Sequence, residues 1–178
     1  VINTCDYNQT KAATIEIAKH IGPVYLRFGR PKVPNFTHEN QKFKIGKGVK
    51  LIDGNDVTIV STGHLVWESI IAAKELANQG INADVINIHT IKPLDKKIIL
   101  ESLSKTKCIV SCEEHNIIGG LGESISRLIV NNILCPMEFV GVNDSFGESG
   151  KPEELMKKYK LNSENIIEKC KKVIARKG

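Results

Sequence analysis

DVTIVSTGHLVWESIIAAKELANQGINADVINIHTIKP, residues Asp56 to Pro93, decides the fold class. Val57–Val60 is a short β-branched run, the composition of a strand buried on both faces of a parallel sheet. Ser61-Thr62-Gly63 interrupts it, and from Leu65 the period becomes helical, with Val66, Ile70, Ala73 and Ala77 as one stripe. Gly80 stands where a helix ends in a left-handed residue. Ala83–Ile88 reads as the second strand, so the stretch is a strand–helix–strand crossover joining two strands of one parallel sheet.

The rest of the chain repeats this theme. Lys47–Ile52 reads as an edge strand and Asp53-Gly54-Asn55 as a turn. Asp95 is placed to cap a helix carrying Ile98, Ile99 and Leu103. Cys108–Cys112 is a buried strand, and Gly119-Gly120-Leu121-Gly122 leads into a helix with Ile125, Leu128 and Ile129. Glu138–Val142 is the last strand. Pro152 suits a helix start, and Ser163 is expected to cap a final helix with the stripe Ile166, Ile167, Cys170, Val173 and Ile174. Strands alternating with helices predict an α/β fold in three layers, α/β/α. Val1–Pro34 behaves as a piece of a different α/β unit, ending in a strand over Val24–Phe28. Lys32–Lys47 has little periodicity and is read as a linker region.

Composition narrows the function classes. The 178 residues are 41% hydrophobic and 25% charged, with a net charge of +5, an ordinary globular balance. The lysine-rich C-terminal region is read as a solvated helical face. With aromatic residues at 5%, a base-stacking nucleic-acid platform is not expected. The five cysteines are odd in number and without a Cys-x-x-Cys pair, which suits reduced thiols and a cytoplasmic setting. No apolar run approaches membrane length.

Chemistry is sparse by residue type alone. Gly120-Leu121-Gly122 lacks the third glycine of a dinucleotide fingerprint, since Ile125 stands there, and is read as a tight strand-to-helix turn. Glu113, Glu114 and His115 could serve acid–base work or simply form a polar strand end. No serine sits in a Gly-x-Ser-x-Gly elbow, which argues against a hydrolase built on Ser61 and His64. Trp67 is read as core.

Five segments, taken in order, carry a resemblance: Gly22-Pro-Val-Tyr-Leu-Arg-Phe-Gly-Arg-Pro31, Asp56–Gly63, Ile91-Lys-Pro-Leu-Asp95, Glu113–Gly122, and Asp144-Ser-Phe-Gly-Glu-Ser-Gly150. Together they resemble the C-terminal half of transketolase across nearly the whole chain. The 1-deoxyxylulose-5-phosphate synthases and 2-oxo-acid dehydrogenase beta subunits remain as alternatives, differing most at Phe146–Leu155. The resemblance implies residues 1–34 as a fragment of the pyrimidine-binding domain, 35–42 as linker, and 43–178 as the C-terminal domain. It also implies a five-stranded mixed sheet with the first strand antiparallel and the third strand between the first and second.

The family further implies thiamine diphosphate and a divalent cation, Mg, in the parent enzyme. The Gly-Asp-Gly metal segment and the activating glutamate have no counterpart here, so the isolated chain is expected to bind neither and to be inactive. Val1 opens the chain without a methionine, which is read as a truncation. The implied partners are upstream domains or an N-terminal transketolase subunit, a second copy in a homodimer, and sugar-phosphate substrates of the pentose phosphate pathway. Nucleic acid and membrane are not expected. By the resemblance, Arg30 belongs to the pocket that grips the sugar phosphate, whereas Arg27 is expected to pair structurally. Where the sheet changes its direction of growth, Thr62, Gly63, His64, Glu114, His115 and Asn116 are expected to line one cleft for an anion or effector. A non-catalytic module for oligomerisation or regulatory anion binding is the reading of the chain taken alone.

Overall fold

β-Branched residues dominate β4 (Val57–Ser61), and every residue of it and of β5 (Ala83–Asn87) is buried. Such strands can sit only at the centre of a sheet covered on both faces. The computed structural model describes residues 1–177 and places them there. The five-stranded sheet runs β3-β5-β4-β6-β7, with β3 at Val49–Ile52, β6 at Ile109–Asn116 and β7 at Met137–Val142. β3 is antiparallel to β5 and every other pair is parallel. This is the mixed sheet the resemblance implied, with the third strand of the domain inserted between the first and second.

Side-chain alternation distributes two cores. Val57, Ile59, Val85 and Val110 face α2 (Leu65–Asn78) and α6 (Ser163–Ile174). Val60, Ile86 and Ile109 face α3 (Lys96–Thr106) and α4 (Leu121–Asn132). The three-layer α/β/α arrangement follows from that alternation. A short α5 (Pro152–Lys158) precedes α6 and has proline in its first turn, as expected.

Local details depart from the sequence reading. The buried face of α2 is Leu65, Val66, Ser69, Ala72, Ala73 and Leu76, so the stripe is rotated away from Ile70 and Ala77. Small residues let the helix lie close on the sheet, and Ser69 satisfies its hydroxyl on the Leu65 carbonyl at 2.7 Å. Asp95 does stand at the start of α3, but its side chain accepts from the Gly48 amide at 3.0 Å instead of capping the helix. Asn162, not Ser163, caps α6, with its side chain accepting from Asn165 N at 3.2 Å. The Ser163 amide donates instead to Glu68 at 2.7 Å. Trp67 is half-buried and tilts against Phe36 with ring centroids 5.5 Å apart.

The N-terminal segment forms β1 (Ile2–Asn3), α1 (Tyr7–Ile17) and β2 (Leu26–Arg27). The expected strand over Val24–Phe28 is shorter because β2 pairs only where β1 offers a partner, Ile2 beside Leu26 and Asn3 beside Arg27. Phe28 is 60% exposed, but Ile2 is 1% exposed and packs with Ala13 and Phe43. β1 is also tied to the larger domain, since Asn3 N donates to the His89 carbonyl at 2.9 Å and Ile91 N to the Val1 carbonyl at 2.9 Å. Asp6 anchors the following connection, accepting from the amides of Phe36 (3.0 Å) and Thr37 (2.8 Å).

Candidate functional site

Open α/β sheets bind ligands beyond the carboxyl ends of their strands, at the point where strand order reverses. Here that point lies between β4 and β6. The N-terminal segment runs across it. Thr62 Oγ1 donates to the Asn3 carbonyl at 3.3 Å. Gly63 has φ +58°, and a Cβ built there would lie 2.6 Å from the Asn3 side-chain nitrogen. Only glycine meets both demands.

What remains of the crevice is a cleft of about 230 Å³, lined among others by Asn3, Arg27, Thr62, Glu113, His115 and Gly120. Glu113 is buried, and its two carboxylate oxygens accept from the amides of Leu121 (2.7 Å) and Gly122 (2.8 Å). The anion-attracting end of α4 is thus satisfied from within the chain. Burial nevertheless dominates and raises the Glu113 pKa, the two amide hydrogen bonds and His115 opposing it. The glycine motif acquires its meaning here. A Cβ on Gly120 would stand 2.2 Å from Glu113 Oε2, and one on Gly122 would stand 2.6 Å from the Phe139 ring. The turn is tight because a carboxylate and an aromatic ring fill the space that side chains would take.

Glu114 points to the other side. Its Oε2 lies 3.2 Å from His64 Nδ1 and 3.8 Å from Arg27 Nη2, and Arg27 also donates to the Glu114 carbonyl at 3.1 Å. Burial pushes the Glu114 pKa up, but the His64 hydrogen bond and the charges of His64 and Arg27 outweigh it and hold it below its ordinary value. His115 is exposed and uses Nδ1 toward the Asn116 carbonyl at 2.8 Å. Asn116 holds the next loop through the Asp144 carboxylate (3.2 Å) and the Ile118 amide (2.9 Å). Glu113 and Glu114 are each committed to separate partners, so no acid–base pair forms between them.

Arg30 is exposed beyond β2, on the wall of a groove of about 780 Å³ that also takes in Lys32, His64, Glu114 and, opposite, Glu148 and Tyr159. The seven residues singled out by sequence therefore divide. Arg30, His64 and Glu114 share the large groove, Thr62 and His115 line the small cleft, Gly63 is covered by Asn3, and Asn116 holds a loop. Asn3 was the omission, and Glu113, read as acid–base or a polar strand end, was not placed in the cleft or linked to the glycine turn. Nothing in local sequence reports that Asn3 lies over Gly63, whereas an acidic residue shortly before a Gly-Gly-Leu-Gly turn was a usable signal.

The class of protein these features define is a doubly wound mixed α/β sheet with a small parallel strand–helix–strand piece laid across its switch point. Residues 46–166 match the family model described as transketolase, C-terminal domain, and the chain belongs to that family. It is 41% identical over 178 residues to the 6-deoxy-6-sulfo-D-fructose transketolase subunit SqwH of Clostridium sp. (strain MSTE9), covering 100% of this chain and 55% of that protein. It is 41% identical over 173 residues to a putative transketolase C-terminal section of Methanocaldococcus jannaschii, covering 95% of this chain and 54% of that one. Among solved structures, a split gene transketolase described as an inactive beta4 tetramer superposes with a TM-score of 0.96 at 37% identity, over 99% of this chain and 58% of that chain. The chain thus spans about half the length of the curated relatives it matches.

Proposed function

We propose that this chain is the C-terminal part of a thiamine-diphosphate-dependent transketolase, which moves a two-carbon ketol unit between sugar phosphates. The observation that carries this is the superposition on the split gene transketolase over almost the full chain. In this reading residues 1–34 complete a pyrimidine-binding domain, 35–42 link, and 43–178 form the C-terminal domain, which serves assembly. The missing parts come from an upstream region or an N-terminal subunit, and the assembled enzyme is a homodimer of such units.

Thiamine diphosphate supplies the carbanion chemistry when bound in the assembled enzyme. This chain's own residues do not fit the cofactor. No group of three or more His, Cys, Asp or Glu is gathered for a metal ion among the described residues, and the α4 amides are taken by Glu113. No catalytic step is therefore assigned to this chain. A calorimetric titration of the isolated chain should give no saturable, Mg-dependent thiamine diphosphate binding, and a saturable isotherm would refute the division of labour.

Arg30 is the residue assigned to substrate. Pro31 restricts it to extended backbone, which carries its side chain beyond the end of β2. A guanidinium grips a tetrahedral oxyanion through two parallel, permanently charged hydrogen bonds. In the assembled enzyme, Arg30→Ala should raise KM for phosphorylated sugars, losing about 2–4 kcal/mol of transition-state binding. Unphosphorylated acceptors should lose far less. Equal losses on both classes would make Arg30 structural. The name of the Clostridium relative makes a sulfonated sugar the third substrate to include.

A further inference from the structure

We infer that His64, oriented by Glu114, is a positioning residue for Arg30: it sets the path of the chain through Gly29 and hence the point from which the arginine reaches its anion. This rests on the reading of Arg30 given above. Gly29 directly precedes Arg30, and the imidazole of His64 fills the space a side chain at residue 29 would need. A Cβ built on Gly29 would stand 1.8 Å from His64 Nε2 and 2.0 Å from Cε1. Only glycine allows this approach.

The ring borders the groove but is held in place. Its side chain is 10% exposed, and Nδ1–H donates to Glu114 Oε2 at 3.2 Å. Glu114 belongs to β6, an interior strand of the sheet, and is itself tied to Arg27 of β2 through its carbonyl at 3.1 Å. The strand leading to Arg30 is therefore held at two places, at Arg27 by Glu114 and at Gly29 by His64. Both holds trace back to one residue, Glu114, through its carbonyl and its carboxylate on an interior strand.

The hold at Gly29 matters because beyond Arg27 the backbone supplies none. Among the described residues, no backbone–backbone hydrogen bond involves the chain from Phe28 to Pro34. Proline limits the residue before it to a broad extended region, not to one position. A side chain meant to meet an anion with two parallel bonds needs closer placement, and a ring packed on the preceding residue provides it. A clamp that merely joins the two units predicts lost stability and equal losses on all substrates. A positioning role predicts a loss selective for the anionic substrate.

The experiment compares Gly29→Ala, His64→Ala and the double variant in the assembled enzyme. It reads the ratio of kcat/KM for a phosphorylated over an unphosphorylated acceptor, and backbone hydrogen exchange across residues 28–33. Each single variant should lower the ratio about tenfold, within the roughly hundredfold that a 1 Å misplacement can cost. The double variant should be no worse than His64→Ala, because removing the ring makes room for the methyl group. His64→Gln, which keeps a donor for Glu114, should recover part of the loss, and exchange at Gly29 and Arg30 should quicken in His64→Ala while that of Val57–Ser61 stays put. Losses that add in the double variant, or that fall equally on both acceptors, overturn the inference. If Gly29→Ala does not assemble, Glu114→Gln takes its place, with the same selective loss expected and an unchanged ratio counting against the proposal. Should Arg30→Ala lower the ratio while His64→Ala changes neither ratio nor exchange, only the positioning role falls. Should Arg30→Ala leave the ratio unchanged, the anion reading falls and takes this inference with it.

Discussion

Replacing Glu113 by alanine tests whether the Gly-Gly-Leu-Gly turn is a structural joint. The carboxylate is buried and accepts from two amides, at 2.7 Å from Leu121 and 2.8 Å from Gly122. Truncation leaves both amides without their protein partner, at roughly 1–3 kcal/mol each, toward the lower end where water from the adjoining cleft replaces the carboxylate. It also removes a negative charge from the first turn of α4, at about 0.3–1 kcal/mol. Against this, the mutant no longer buries a charge, and the raised pKa of Glu113 shows that this burial is costly. A net loss of about 3 kcal/mol is expected, read as a shift in urea midpoint at constant slope. Gly120→Ala should approach the same loss from the other side, because its methyl would stand 2.2 Å from Glu113 Oε2. Sign follows from the raised pKa. The protonated form is favoured in the fold, so the Glu113 contribution is full below its unfolded value of 4.5 and is lost as pH rises through the folded value. Glu113→Gln should remove that downward slope. A loss under about 1 kcal/mol for Glu113→Ala, with unchanged exchange at the Leu121 and Gly122 amides, would refute the reasoning.

His89 supplies the opposite slope. Burial beneath Phe43, whose ring centroid is 4.1 Å away, lowers its pKa from 6.5 to about 4, with Asp95 opposing. The unfolded chain therefore binds the extra proton between those values, and stability should fall by roughly 3 kcal/mol as pH drops from 6.5 to 4. Unfolding curves of His89→Gln should lack this component, and a parallel pH profile in the two proteins would count against it. Asp84 is fully buried, takes a hydrogen bond from Ser102 at 2.7 Å and faces Lys50 (3.2 Å) and Lys105 (3.3 Å). Asp84→Ala leaves Lys50 and Lys105 with Asp53 as their shared carboxylate (3.0 and 2.8 Å) and should cost about 2–4 kcal/mol, below the usual figure for a buried pair because both lysines keep that partner and reach solvent. Thermal unfolding decides it, and a change of under 1 °C would place the charge outside the stability of the fold.

How much was legible depends on the range over which the determining interactions act. Val57–Ser61, α2 and Ala83–Asn87 could be read because a centrally buried strand must be apolar on both faces and the crossover must then turn helical. Gly80 was equally plain, since φ +78° at a helix end is a local demand. The strand order came from family resemblance, since alternation records which residues are buried but not beside which strand. Caps lay between these cases. Asp95 and Asn162 are both good capping types, and only the competing claim of the Gly48 amide on Asp95 separates them.

The candidate site shows the division most sharply. Arg30 could be singled out from its place between a strand and Pro31. The residues that hold it could not. Gly29, Gly63, Gly120 and Gly122 all look like turn glycines in sequence, yet each is needed because a side chain from elsewhere occupies the space its Cβ would fill: His64, Asn3, Glu113 and Phe139 in turn. The amino-acid sequence alone determined the layered α/β fold, through burial patterns that act within one element. Tertiary structure decided which remote side chain meets which glycine, because those contacts exist only once the strand order has brought the loop ends together.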